Sequence, residues 1–266
     1  MSEFEFDRAT QVADGAGELY DGWDIGGNAN GGYLLALAAN GLRAIAGRPD
    51  PISVTAHYLS PGRPGPVEVE GLVVKAGRRF TTVAGRLHRG GSPIIQVLGT
   101  FGDLSQSASA YEHLAVGPPE LPPYEQCTPR TAADGGVAVS LMDRLDVRMH
   151  PEHVGWLEGR KRGVAEIAGW FAFADGRPID TLALLLVCDA LPPAVFHLDM
   201  PAGWVPTVEY TVHVRGVPAP GPVRCVFRSH VVQGGFLNED GEVWDSTGKL
   251  VAQSRQLGLT PLATQG

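Results

Sequence analysis

An α+β architecture built twice over, each half holding one apolar helix inside a curved antiparallel sheet, is what the sequence predicts. Three observations carry it. Segments 51–101 and 206–258 follow one plan: alternating apolar residues, a Pro-Gly-Pro-Val turn (Pro64–Val67, Pro220–Val223), two or three further strands and a closing strand bearing Gln96 or Gln253. The period-2 alternation suits half-buried antiparallel strands. One apolar helical stretch precedes each block, and 35 glycines with 21 prolines in 266 residues fit many turns rather than long helices.

In chain order, residues 10–24 read as strand-like pieces containing an Asp-Gly turn, and 32–46 as a helix stopped by Gly47 and Pro49. Strands follow through 51–101, with a hairpin expected at Gly90-Gly91. Residues 103–130, rich in Ser, Pro and Glu, read as a join, which divides the chain into 1–103, a linker over 104–130, and 131–266. Residues 165–174 form a further strand. A second helix is expected over 181–191, capped by Asp180 and ended by Pro192-Pro193. The last block has turns expected at Asp240-Gly241 and Thr247-Gly248. Both helices are apolar on nearly every side, as in an element wrapped by its sheet. Two unrelated α+β domains with similar turns would give the same order; the shared plan favours the repeat.

Composition narrows the function. A net charge of −8, with only 19% charged residues, gives no basic face for nonspecific nucleic-acid binding. The short runs Arg78-Arg79 and Arg160-Lys161-Arg162 leave room for a phosphorylated ligand. Three widely spaced cysteines without a CxxC pair indicate neither a disulfide framework nor a zinc knuckle, in keeping with a reducing cytoplasm. The acidic start MSEFEFDRAT has no apolar stretch of the signal-peptide kind, and the longest apolar run, 182–188, is too short to span a bilayer.

Asp189 is the most unusual residue, interrupting the otherwise apolar LALLLVCDAL. An ionised carboxylate in such surroundings is costly unless it is partnered. It reads either as a general base poised at a pocket floor or as a carboxylate that reaches water at a helix end. Thr207, opening the next strand, and Gln256, on the last one, could hold a water or a carbonyl; taken singly, each also reads as an ordinary strand residue. Gly26–Gly32 (GGNANGG) leads into the first helix, where free N–H groups near Gly31 and Gly32 can face an oxyanion, or merely form a turn. The sequence has no GxGxxG at a strand-to-helix turn, no GxSxG and no P-loop. His150-Pro-Glu-His153 lacks a third ligand, so no metal or other cofactor is expected. Cys188 has no basic neighbour to activate it and reads as a buried apolar residue.

At these residues the chain resembles the acyl-CoA thioesterase II (TesB-like) family, whose members are double hot-dog proteins. GGYLLALAANGLRA is similar to its Gly-Gly helix start, with Tyr33 where glutamine is frequent, and HYLSPGRPG to its Leu-x-Pro-Gly turn. CDAL matches the helical aspartate at Asp189, TVEYTVHVRG places the threonine at Thr207, and VAQSRQLGL places the glutamine at Gln256. Glu209-Tyr210 replace the usual acidic-histidine pair. The resemblance implies two antiparallel sheets, each around a central helix and joined as a pseudo-dimer, and hydrolysis of acyl-CoA by a water that Asp189, Thr207 and Gln256 activate. It also implies N–H donors at Gly31 and Gly32 facing the carbonyl, and an acyl tunnel lined by residues such as Leu34, Leu37, Trp170 and Leu184. A hot-dog hydratase would need an Asp and a His close together before a helix, and no such pair is present. A non-catalytic acyl-CoA-binding or scaffold protein stands as the other reading. Exposed edge strands leave a homo-oligomer open.

Overall fold

The structure, a computed structural model, describes residues 4–106, 111–134, 138–200 and 203–260. After the short helix α1 (Glu5–Ala9), the hairpin β1 (Val12–Ala13) and β2 (Ala16–Leu19) turns at Asp14-Gly15, both at positive φ. A second small hairpin, β3 (Asp24–Ile25) and β4 (Asn28–Ala29), leads into α2 (Gly31–Ala46). Asn30 caps α2, its side chain accepting from Tyr33 N–H, and Gly47 ends it in the left-handed conformation. Eleven of its sixteen residues are buried, as the all-round apolar sequence requires. Strands β5 (Asp50–Tyr58), β6 (Gly65–Ala76), β7 (Thr81–Arg89) and β8 (Ser92–Gly102) then pack around it.

The second half contributes β9 (Thr128–Pro129), β10 (Leu145–Met149), β11 (Glu166–Phe173), α3 (Leu184–Val187), β12 (Thr207–Val214), β13 (Val223–Arg228), β14 (Val232–Gln233), β15 (Phe236–Trp244) and β16 (Leu250–Leu259). Among the described residues, fourteen strands form one antiparallel sheet, running β1-β2-β6-β7-β8-β5-β12-β16-β15-β13-β11-β10-β9 with β14 beside β15. Strand orders β2-β6-β7-β8-β5 and β11-β13-β15-β16-β12 mirror each other across the β5–β12 pairing, and α2 meets α3 beneath that seam. No helix among the described residues is long and apolar enough to cross a membrane.

Two expectations are corrected. The second helix, expected over 181–191, is α-helical only at Leu184–Val187. Asp180 does cap it, accepting from Ala183 N–H at 2.8 Å, but tighter i→i−3 bonds (Leu185 to Leu182, Leu186 to Ala183, Asp189 to Leu186) bracket the α-type turn. Asp240-Gly241 is not a turn but the middle of β15, paired to β13 and β16; the turn lies at Gly234-Gly235, both at positive φ. Glycine is needed inside that strand because a Cβ at 241 would overlap Ser254 Oγ and lie 2.5 Å from the Phe227 ring. Gly241→Ala should therefore lower unfolding stability by about 1–3 kcal/mol in a urea titration. Within the expected join, β9 pairs with β10.

Candidate active site

The end of β5, the starts of α2, β12 and β15, the end of β16 and the turn after α3 converge at one edge of the seam. Antiparallel pairing enforces this: His57 faces Glu209, Tyr210 faces Gln256, and Gln256 faces Glu239. Between them lies a cavity of about 720 Å³, lined by Asn30, Gly31, Tyr58, Asp189, Thr207, Glu239 and Gln256 together with apolar side chains. Asp189, Thr207, Gln256 and Gly31 thus share one wall system, although they lie far apart in sequence.

Asp189 follows α3 directly, and its position is set by α2. Its Oδ2 accepts from Gly32 N–H at 2.8 Å and from Asn30 Nδ2 at 2.9 Å, while Asn30 Nδ2 also reaches the Asp189 carbonyl at 3.1 Å. Oδ1 accepts no hydrogen bond among the described residues, which leaves it to the cavity. Burial pushes the carboxyl up to about 6, against the two hydrogen bonds that hold it down. Thr207 Oγ1 receives the Gln256 side-chain N–H, so these two polar groups are already joined across β12 and β16.

The two glycines have different partners. Gly32 N–H is committed to Asp189, and a Cβ there would stand 2.8 Å from Leu185 O and 2.9 Å from both Leu186 Cα and Asp189 Cβ. Gly31 N–H, at the first turn of α2, has no hydrogen-bond partner among the described residues, while its carbonyl accepts from Tyr58 Oη at 2.7 Å.

Two residues escaped the sequence reading. Asn30, 4% exposed, ties the cap of α2 to Asp189; an N-cap beside a glycine loop signals a helix start, not a partner 159 residues away. Glu239 is buried, bonded by Ala194 N–H at 2.6 Å, and its carboxyl is pushed up to about 8 by burial and then by the Asp189 charge. Within GFLNEDGEV it is one acid among three, and only the sheet shows that it turns inward. Of the residues expected along an acyl tunnel, Leu34 lines the cavity. Leu37 and Leu184 are sealed in the core, and Trp170 sits on β11 with its indole N–H on Pro122 O. Tyr210, in place of the expected histidine, is buried with its hydroxyl on Leu185 O at 3.3 Å. His150 and His153 turn their Nδ1 atoms to backbone N–H groups of Glu152 and Ala168, and the described residues hold no cluster of three potential metal ligands.

Comparison with known proteins bears on the family and the fold. The profile of the acyl-CoA thioesterase N-terminal domain matches residues 19–102, and that of the C-terminal domain matches residues 124–260. A solved structure from Thermobifida fusca YX, named a "putative thioesterase II", is 32% identical, covers 98% of this chain and 100% of its own, and superposes with a TM-score of 0.86. A hot-dog-fold protein of unknown function from Alicyclobacillus acidocaldarius is 21% identical with a TM-score of 0.87, covering 99% of this chain and 100% of its own. An uncharacterized protein of Mycobacterium tuberculosis is 29% identical, covering 92% of this chain and 90% of its own. The fold is of the hot-dog kind, and, matched in both halves, the chain belongs to the TesB-like acyl-CoA thioesterase family.

Proposed function

We propose that the chain is two fused hot-dog units, within residues 1–103 and 131–266, that hydrolyse acyl-CoA thioesters to free acid and CoA at the seam between them. The mirrored strand order about β5 and β12 supports the paired units. The observation that carries the reaction is the Asp189 carboxylate, with Oδ2 fixed by α2 and Oδ1 open to a cavity that also holds the Thr207–Gln256 pair. Oδ1 takes a proton from a water that Thr207 and Gln256 orient, and the hydroxide attacks the thioester carbonyl. Gly31 N–H faces the oxygen that becomes negative, at a helix start where such donors are concentrated. Collapse of the tetrahedral intermediate breaks the C–S bond, and CoA thiolate leaves with the proton returned through Asp189. A thiol-reagent assay over a panel of acyl-CoA chain lengths tests this. Tight binding without CoA release would instead support an acyl-CoA-binding protein.

The two buried acids set an expected pH profile. Asp189 must be ionised, so kcat/KM should rise with pH through about 6. Above about 8, Glu239 ionises and places a second negative charge beside the developing oxyanion, so the rate should fall again. Glu239→Gln should remove the upper limb and keep the lower one. A variant profile that keeps both limbs would take Glu239 out of this account.

A further inference from the structure

The cavity contains a second polar feature that hydrolysis of a plain acyl chain does not use. Arg130 follows β9, held by its backbone N–H on Val147 O at 2.8 Å, and its side chain forms part of the cavity wall with Val139, Leu141, Met142 and Trp156. That side chain is only 6% exposed, and among the described residues Nε and Nη1 are closed off without a hydrogen-bond acceptor, which leaves Nη2 as the nitrogen that a ligand in the cavity meets first. The nearest carboxylate, on Asp134, is 3.7 Å from Nε, beyond hydrogen-bond reach, and is occupied by Thr131 N–H and Thr131 Oγ1 at 2.8 and 2.9 Å. Trp156 lies against the guanidinium, 5.4 Å from ring centre to Cζ, a cation–π contact that limits where the fork can turn. The ion pair with Asp134 offsets part of the charge but fills no donor, and buried donors left unfilled are costly.

We infer that Arg130 is the receptor for a carboxylate carried by the acyl group, so that the cavity takes ω-carboxyacyl thioesters in preference to plain alkanoyl ones. The planar fork of arginine matches a carboxylate through paired N–H donors. The surrounding apolar wall suits the methylene chain of such a ligand rather than a hydrated phosphate. A CoA phosphate finds cations instead in the Arg160-Lys161-Arg162 run, where Lys161 lines the same cavity with 33% of its side chain exposed. With the ionised Asp189 in the cavity, a carboxylate ligand also needs a fixed positive charge, and Arg130 supplies it.

The inference rests on the thioesterase reading for its substrate, and its test separates the two. Wild type and Arg130→Met are assayed with succinyl-, glutaryl- and adipyl-CoA against butyryl-, pentanoyl- and hexanoyl-CoA. In wild type the ω-carboxy ester should be favoured in kcat/KM by about 10- to 100-fold at the best-fitting length, the range of a charge-assisted pair. In Arg130→Met that ratio should fall to about one. Calorimetric binding of the amide analogues of the same acyl-N-acetylcysteamine pairs, which lack phosphate and cannot be hydrolysed, should show the same preference and the same loss. If wild type cleaves no thioester, the hydrolytic reading fails while the amide binding still decides the inference. An absent preference in both assays overturns it. A preference confined to CoA esters, with Arg130→Met weakening every CoA ester alike, assigns Arg130 to a phosphate and also overturns it. Melting temperature gives the control: replacing a buried guanidinium that has unfilled donors and one long ion pair should leave stability equal or higher. A large loss of stability with the ratio unchanged would make Arg130 structural.

Discussion

Asp189→Asn is expected to lower kcat by about 10²- to 10⁴-fold, the contribution of a positioned general base, with the fold kept intact. Asparagine retains an acceptor for Gly32 N–H and Asn30 Nδ2, so the geometry around α2 survives while the proton acceptor is lost. The same substitution should stabilise the protein at neutral pH. The carboxyl stands at about 6 in the native state against an ordinary 3.8, so the folded protein holds this proton more tightly than the unfolded chain. Stability from this group is therefore present in full below about pH 4 and is lost as pH rises through 6. The shift corresponds to about 3 kcal/mol, reduced to about 2 kcal/mol because the side chain is partly accessible through the cavity. Urea titrations at pH 4 and pH 8 should show variant and wild type equal in acid and the variant more stable in base. Thiol release by the variant at the wild-type rate would remove Asp189 from the mechanism.

Gly32→Ala should produce the second largest effect, and in the opposite direction for stability. At an unobstructed helix position, alanine in place of glycine gains up to about 1 kcal/mol. Here the new Cβ meets backbone atoms, Leu185 O at 2.8 Å and Leu186 Cα at 2.9 Å, which do not rotate away. Overpacking of this kind costs about 1–3 kcal/mol, so it outweighs the propensity gain. Separation of α2 from α3 also draws Gly32 N–H from Asp189, and a displacement near 1 Å in such a site costs about 10²-fold in rate. Loss of that hydrogen bond removes one of the two contacts holding the carboxyl down, so the lower limb of the pH profile should move above 6. A slower variant with an unmoved lower limb would place the glycine in packing alone.

The sequence reading was most successful where the signal is local. Periodicity and turn residues located α2 and strands β5 to β8 because a buried helix and half-buried strands each impose their own repeat on a short window. The same reasoning failed at Asp240-Gly241. There the dipeptide carries turn chemistry, but the Phe227 ring and Ser254 on neighbouring strands demand a residue without a side chain. It also lengthened α3, because propensity and capping do not register the mixed hydrogen bonding of 181–189. Strand β10 went unread although Leu145-Asp-Val-Arg-Met149 alternates apolar and polar residues, because five residues flanked by irregular chain are too short a window to stand out.

Alone, the sequence determined that a carboxylate stands among apolar residues at 189, that a glycine-rich loop opens α2, and that Thr207 and Gln256 lie on strands of the second half. Which atoms meet was decided by the tertiary structure. Asn30 and Gly32 are 159 and 157 residues from Asp189, and only the β5–β12 seam brings the start of α2 against the end of α3. Glu239 and Arg130 become functional candidates for the same reason. Charge type is written in the chain, but burial and the shared cavity exist only once the sheet has closed around them.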